Sequence, residues 1–520
     1  MKRKIMLAII SGFLLTISNS WSAVTEAAQK IIYIPMDNRP VCLSYVQNTA
    51  KAAGFPLTVP PKDCIANYRN SGNEVKLWKW LEQEAPTAKA AVISTDSLNY
   101  GGLVASRKHH LINRMITKKI SRLETLHENN PSLKIFAFST IMRTPEESIG
   151  NVEPDYYRFF GPSIFRLTQL NDKEDTDILT GREASEKAEL LRAIPEDLLY
   201  DWMRRRKVNM KANQELIDLS QKRVFHFLAI GKDDNAPLSQ THMEARHLAH
   251  YGGGLHKKSF QIIPGVDQIG LLLVTRAINE ITGDDPKLYV TYAPGKGGAT
   301  VPLFSDESVT NSVADQIIAA GCKETLRIDN ANVVLAVNTP YDGRCQDSTS
   351  NENAPYSSNP NKQFAKELSK LVHGHKVSLA DVSYANGADN GFMYALENRD
   401  VIPYLTAYNG WNTADNSIGF AISQGVLSKR MKTKDITRLL KVRYLDDWIY
   451  QANVRYRVAL DIDKHDFKLK YDLGKYYNKV LVHTNKLFKQ YVGEDPFLAT
   501  TDYSVEFPWN RLFEIDARVK

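Results

Sequence analysis

"VFHFLAIGKDDNAP" occupies residues 224–237, and the way it is read decides the fold. Its first part, 224–230, is a short apolar run closed by a glycine. Such a run reads as a strand buried on both faces, the kind found in parallel sheets. It ends abruptly in two adjacent carboxylates, Asp233 and Asp234. At a strand end, neighbouring side chains point in different directions and can address two atoms of one ligand. Held close together, they cannot both ionise freely, so one pKa tends to rise. A carboxyl that stays protonated near neutral pH suits a general acid. The plainer reading is a solvated turn, where aspartate is favoured for its backbone hydrogen bonds.

Working outward, the same theme recurs. "IIYIP" (31–35) leads into "MDNRP", "AAVIS" (90–94) into "TDSLNYGG", and "KIFAFS" (134–139) into "TIMRTP". Beyond the opening stretch come "KLYVTYA" (287–293), "NVVLAV" (332–337), "KVSLADV" (376–382) and "VIPYLTAY" (401–408), with a weaker run at "FQIIPG" (260–265). Alternation of such runs with helical stretches predicts an α/β fold. Their number fits a (β/α)8 TIM-like barrel, whose active site lies at the strand C-termini. A doubly wound open sheet is the alternative and binds ligands at the same end. No repeat with a period of 20–50 residues is visible.

The barrel is expected over residues 23–430. Between the third and fourth runs, about 150–223, a helical insertion is predicted, with Pro195 opening its last helix. The charge run 204–207 on that helix reads as a solvated face. From 431 to 520 the pattern predicts a C-terminal helical extension ending in a strand and turn.

Residues 1–22 combine a basic start with a short apolar run and small polar residues, which predicts a signal peptide cleaved near Ser22 or Ala23. The expected location is therefore periplasmic or secreted, with no stable membrane insertion after removal. The formal charge of +7 falls to 7 − 3 = +4 without Lys2, Arg3 and Lys4, a mild excess that argues against nucleic acid. Cys42–Cys64 and Cys322–Cys345 are candidate bridges, free buried thiols being the alternative. His242, His247 and His250 do not match a zinc spacing, so no metal is expected. No cofactor loop or GxSxG elbow occurs.

Four further polar clusters follow predicted strands. "NGWNTADNSIG" (409–419) offers Asn409, Trp411, Asn412 and Asn416, an aromatic face among amides, which is what a sugar requires. "SYANGADNG" (383–391) offers Asn386, Asp389 and Asn390. Asp96 and Tyr100 follow the second run. Asp37 and Arg39 follow the first, and Arg143 the third. If all converge on one rim, they form a binding site.

At "YIPMDNRP", "TDSLNYGGLVASR", "FSTIMR", "GKDDNAP", "DVSYANGADNG" and "GWNTADNSIG" the chain resembles a bacterial, typically exported family, domain of unknown function 4127. More loosely, paired acids after the fourth strand and a late Trp/Asn loop are similar to retaining N-acetylhexosaminidases of the O-GlcNAcase type. That resemblance implies substrate-assisted hydrolysis of a β-linked GlcNAc or GalNAc glycan, without cofactor. It implies that Asp233 orients the acetamido N–H, that Asp234 is the acid/base, and that Trp411 stacks on the sugar. Two alternatives stand beside it. One is a non-catalytic carbohydrate-binding protein of the cell envelope. The other is a glycosidase with a conventional carboxylate pair such as Asp96 and Asp234.

Overall fold

The computed structural model describes residues 30–146, 152–464 and 467–520. The expected signal peptide lies outside them. The strands are β1 (Ile31–Ile34), β2 (Leu57–Thr58), β3 (Ala90–Ser94), β4 (Lys134–Ile141), β5 (Phe227–Lys232), β6 (Phe260–Pro264) and β7 (Lys287–Tyr292). Then come β8 (Lys323–Glu324), β9 (Val333–Asn338), β10 (Gln346–Asp347), β11 (Val377–Asp381), β12 (Tyr384–Ala385), β13 (Ala407–Asn409), β14 (Tyr503–Glu506) and β15 (Asp516–Val519).

All ladders except β14–β15 are parallel. They form two main sheets, ordered β2-β1-β3-β4-β5-β6 and β13-β11-β9-β7-β8. The expectation of a parallel α/β fold is met. Among the described residues no ladder joins β6 to β7 or β13 to β2. Each sheet places its first strand between its second and third. The repetition lies in topology, over a unit too long for a short-period search to detect.

Side-chain alternation explains the layering. Along β1, Ile31 and Tyr33 join the core between the sheets, while Ile32 and Ile34 join the core on the opposite face. The middle layer contains helices Ile269–Thr282, Val309–Ala319 and Ala414–Leu427, which pack with residues of both sheets. Helix Ala414–Leu427 is buried at every position. A helix buried on every face belongs between layers rather than on a surface. The outer face of the second sheet is covered by Asn359–Leu371, Asn390–Glu397 and the C-terminal segment. That segment includes an 11-residue π-helical stretch, Tyr444–Val454. π-Helical turns are rare and often mark functional sites.

Two predicted strands are shifted. "VIPYLTAY" contributes only its end to β13, and Ile402–Tyr404 is a 3-10 turn. Pro403 lacks the N–H a ladder needs. The opening stretch enters β5 at Phe227 and stays in it to Lys232, so Asp233 follows the strand directly. The stretch read as an insertion forms helices Tyr157–Asp175, Gly181–Ala193 and Glu196–Gln221. Its charge run is solvated only in part, with Lys207 exposed and the two central arginines buried. Arg205 and Arg206 are 1% exposed, and Arg206 grips both oxygens of Glu244 at 2.8 and 2.9 Å. No described helix is long and apolar enough to cross a membrane. All four cysteines are free, so neither candidate bridge forms. His242 and His247 pair with Asp172 and Asp175.

Candidate active site

The C-terminal ends of strands from both sheets open into one cavity of about 660 Å³. From the first sheet come Arg39 after β1, Arg143 after β4, Asp233 and Asp234 after β5, and Asp267 after β6. From the second come Asn412 and Asn416 after β13, and Asn386 follows β12 of the separate β10–β12 pair. Arg455, Trp509 and Arg511 of the C-terminal segment complete the wall.

Asp233 is 4% exposed. Its Oδ2 accepts from Arg107 Nη2 at 2.5 Å. Burial raises its pKa, Arg107 opposes that rise, and the Asp234 charge adds to it. Asp234 is partly open to the cavity, and its Oδ2 accepts from Arg143 Nη1 at 2.5 Å. The two guanidinium groups meet at Glu153, whose Oε1 accepts from Arg143 Nε at 2.6 Å and Arg107 Nη1 at 3.2 Å. Glu153 is 1% exposed. Two acids, two arginines and this third acid thus form one buried network. Such pairing offsets the desolvation of charges that would be costly alone.

Across the cavity, Arg39 binds two acids. Its Nε donates to Asp37 at 2.9 Å, and Nη1 and Nη2 reach the two oxygens of Asp267 at 3.2 and 2.6 Å. Asn412 Nδ2 reaches Asp267 at 3.4 Å. Burial raises the pKa of Asp37, and Arg39 pulls it back.

The rim has left-handed backbone at Asp234 (φ +24°), Asn386 (φ +60°) and Asn412 (φ +60°). Asn and Asp tolerate this region better than other side chains, and such conformations cluster at functional sites. Gly265, at φ +74°, carries the chain away from β6, and a Cβ there would lie 3.0 Å from Asn416 Oδ1. Several buried polar atoms of these wall residues have no hydrogen-bond partner among the described residues: Asn386 Oδ1, Asn416 Oδ1, Arg107 Nε and Arg455 Nε. Buried polar groups are normally satisfied, so these four set the wall apart from the core.

Of the expected site residues, Arg39, Arg143, Asp233, Asp234, Asn386, Asn412 and Asn416 line the cavity. The others do not. Trp411 is 1% exposed and packs edge-on against Phe513 within the core between the sheets, so it presents no face to a sugar. Asn409 is fully buried and donates to Tyr45. Asp389 caps helix Asn390–Glu397 by accepting from Phe392 N. It lies beside Asp381, whose pKa burial and Asp389 raise to about 7. Asn390 braces Asn353 and Trp448. Tyr100 stacks on His109. Asp37 sits behind Arg39. Asp96 is buried in the first turn of helix Thr95–Tyr100. It is not part of the cavity wall, which removes it as a direct partner for Asp234.

Sequence reasoning missed Glu153, Asp267, Trp509 and Arg511. Asp267 lies three residues past β6, a position the strand-end rule covers. Glu153 lies in the loop before helix Tyr157–Asp175, and Trp509 and Arg511 lie in the connection between β14 and β15. Among the described residues, no group of three or more His, Cys, Asp or Glu side chains is placed to hold a metal.

A family model described as a protein of unknown function, DUF4127, matches residues 31–518. No curated protein and no solved structure matches the chain.

Proposed function

The chain belongs to the DUF4127 family, and from its strand-end cavity we propose that it is an exported glycoside hydrolase acting on a β-linked N-acetylhexosamine glycan. The observation that carries this reading is the disposition of Asp233 and Asp234. Both enter one polar cavity from one strand end, each tied to an arginine through Oδ2. The other oxygen of each has no hydrogen bond among the described residues and remains for a ligand. The proposal needs strand ends gathered on one rim, as in the barrel expected from the sequence, and not a closed ring.

In this mechanism the 2-acetamido oxygen attacks the anomeric carbon as the glycosidic C–O bond breaks. The leaving oxygen takes a proton from one carboxyl. The other carboxylate holds the acetamido N–H, which becomes more acidic as the ring closes. Water then adds to the anomeric carbon, returns a proton to the acid and restores the acetamide with retained configuration. Burial raises Asp233, which suits it to carry the proton. Asp234, beside Arg143 and open to the cavity, suits the role of anionic polariser. This reverses the roles that the resemblance implied.

Hydrolysis of aryl N-acetyl-β-hexosaminides tests both claims. Asp234→Asn should abolish turnover with every leaving group. Asp233→Asn should spare a dinitrophenyl leaving group, which needs no proton, far more than a nitrophenyl one. An active wild-type enzyme that a thiazoline inhibitor fails to block would refute acetamido participation. The second reading is a non-catalytic carbohydrate-binding protein. It is favoured by the arginine on each acid, which suits a rigid binding wall, and it predicts glycan binding with no turnover.

A further inference from the structure

A second cavity, of about 580 Å³, lies beside the first, and Thr349, Tyr456 and Leu460 line both. The same helical run builds the two walls. π-Helical Trp448 and Asn453 face the second cavity, Arg455 the first, and Tyr456 stands between them. The π-helical stretch, with its i→i+5 hydrogen bonds, runs directly into helix Arg455–Asp463, so one continuous helical run lines two neighbouring cavities.

The second cavity combines aromatic rings, amides and the carboxylates Glu397, Glu494 and Asp495, groups that suit a sugar. Tyr394 (47% exposed) and Tyr456 (37% exposed) offer open aromatic rings. Asn351 and Asn453 offer amides. Asp495, 5% exposed, has a buried Oδ2 with no hydrogen-bond partner among the described residues. Aromatic rings pack against the C–H faces of sugars, while amides and carboxylates take the hydroxyls.

We propose that this second cavity is an additional sugar subsite, so that the ligand is an oligosaccharide extending from the Asp233–Asp234 cavity across Tyr456. The assignment deepens the glycosidase reading and rests on it for the identity of the first subsite.

The test uses the full chain and β-1,4-linked N-acetylglucosamine oligomers of one to four rings, with binding measured by calorimetry and turnover measured separately. Tyr394→Ala and Asn351→Ala touch only the second cavity. The expected result is affinity that rises at least tenfold with added rings in the wild type. In both variants that gain should be lost while single-ring binding is unchanged. Affinity that stops rising after the first ring overturns the subsite, as does an equal loss for all lengths in the variants. Oligomers that bind with the expected length dependence but are not cleaved uphold the subsite and refute hydrolysis. Absence of any glycan binding overturns both.

Discussion

Asp96 gives a quantitative test of the electrostatics beneath the site. It is 2% exposed, and its Oδ2 has no hydrogen-bond partner among the described residues. Burial pushes its pKa from 3.8 to about 7; hydrogen bonding to Thr140 opposes the rise and the Asp233 charge adds to it. In the unfolded chain this carboxyl ionises near its ordinary value. In the folded protein it keeps its proton until about pH 7. Between those limits the native state binds more protons than the unfolded state, so stability falls as pH rises. One pKa unit corresponds to about 1.4 kcal/mol. The full window then sets a ceiling of about 4 kcal/mol on what Asp96 costs above pH 7. Asn mimics the protonated acid in shape but does not titrate. Asp96→Asn should therefore match the wild type below pH 4 and exceed its stability above pH 7. Buried Asp415 and Asp446, also raised to about 7, remain in both proteins and cancel in the difference. Urea unfolding at half-unit steps from pH 4 to 8 gives the difference curve. A flat curve would show that Asp96 titrates at its ordinary value and would refute the reasoning.

Two further outcomes follow from the packing. Glu153→Gln removes the charge shared by Arg107 and Arg143, and should destabilise by about 3 kcal/mol in urea; a cost below about 1 kcal/mol would mean the two arginines are held independently. Trp411→Ala should cost about 3–5 kcal/mol as a core cavity, whereas Trp411→Phe should fold and bind glycan with unchanged affinity; a tenfold loss in Trp411→Phe would place the indole in the site.

Much of the scaffold was legible because a buried parallel strand leaves a compact signature. "AAVIS" is β3 residue for residue, "KLYVTYA" exceeds β7 by one residue at its end, and "NVVLAV" is displaced from β9 by one residue. The order of the ladders was not legible. Strand identity fixes which faces are apolar, while order depends on which helices fit between the sheets, and Ile269–Thr282 and Ala414–Leu427 fill that layer. The acids at the end of β5 were legible for the same local reason. The role given to Trp411 failed because composition does not tell whether an indole faces a cavity or the core. Its loop places amides on the rim at Asn412 and Asn416 and turns the ring inward against Phe513. The buried arginines of the insertion failed similarly. A run of four basic residues looks solvated until a buried acid such as Glu244 is brought to it from a distant helix.

The manner in which each arginine holds its acid separates bracing from function. Arg206 takes both oxygens of Glu244, and Arg39 takes both oxygens of Asp267. Such two-point pairs use the carboxylate fully and fix geometry. Arg206 also donates to the backbone oxygen of Arg143 at 3.1 Å, so the insertion secures the base of the arginine that meets Asp234. Asp233 and Asp234 are held differently. Each is tied through one oxygen, and their two arginines are themselves joined at Glu153. If the network served only to offset the repulsion between adjacent carboxylates, two-point pairing would do so more completely. One-point pairing leaves one oxygen of each acid unpaired while its position is fixed from behind. That is the arrangement expected where a ligand, rather than the fold, completes the electrostatics.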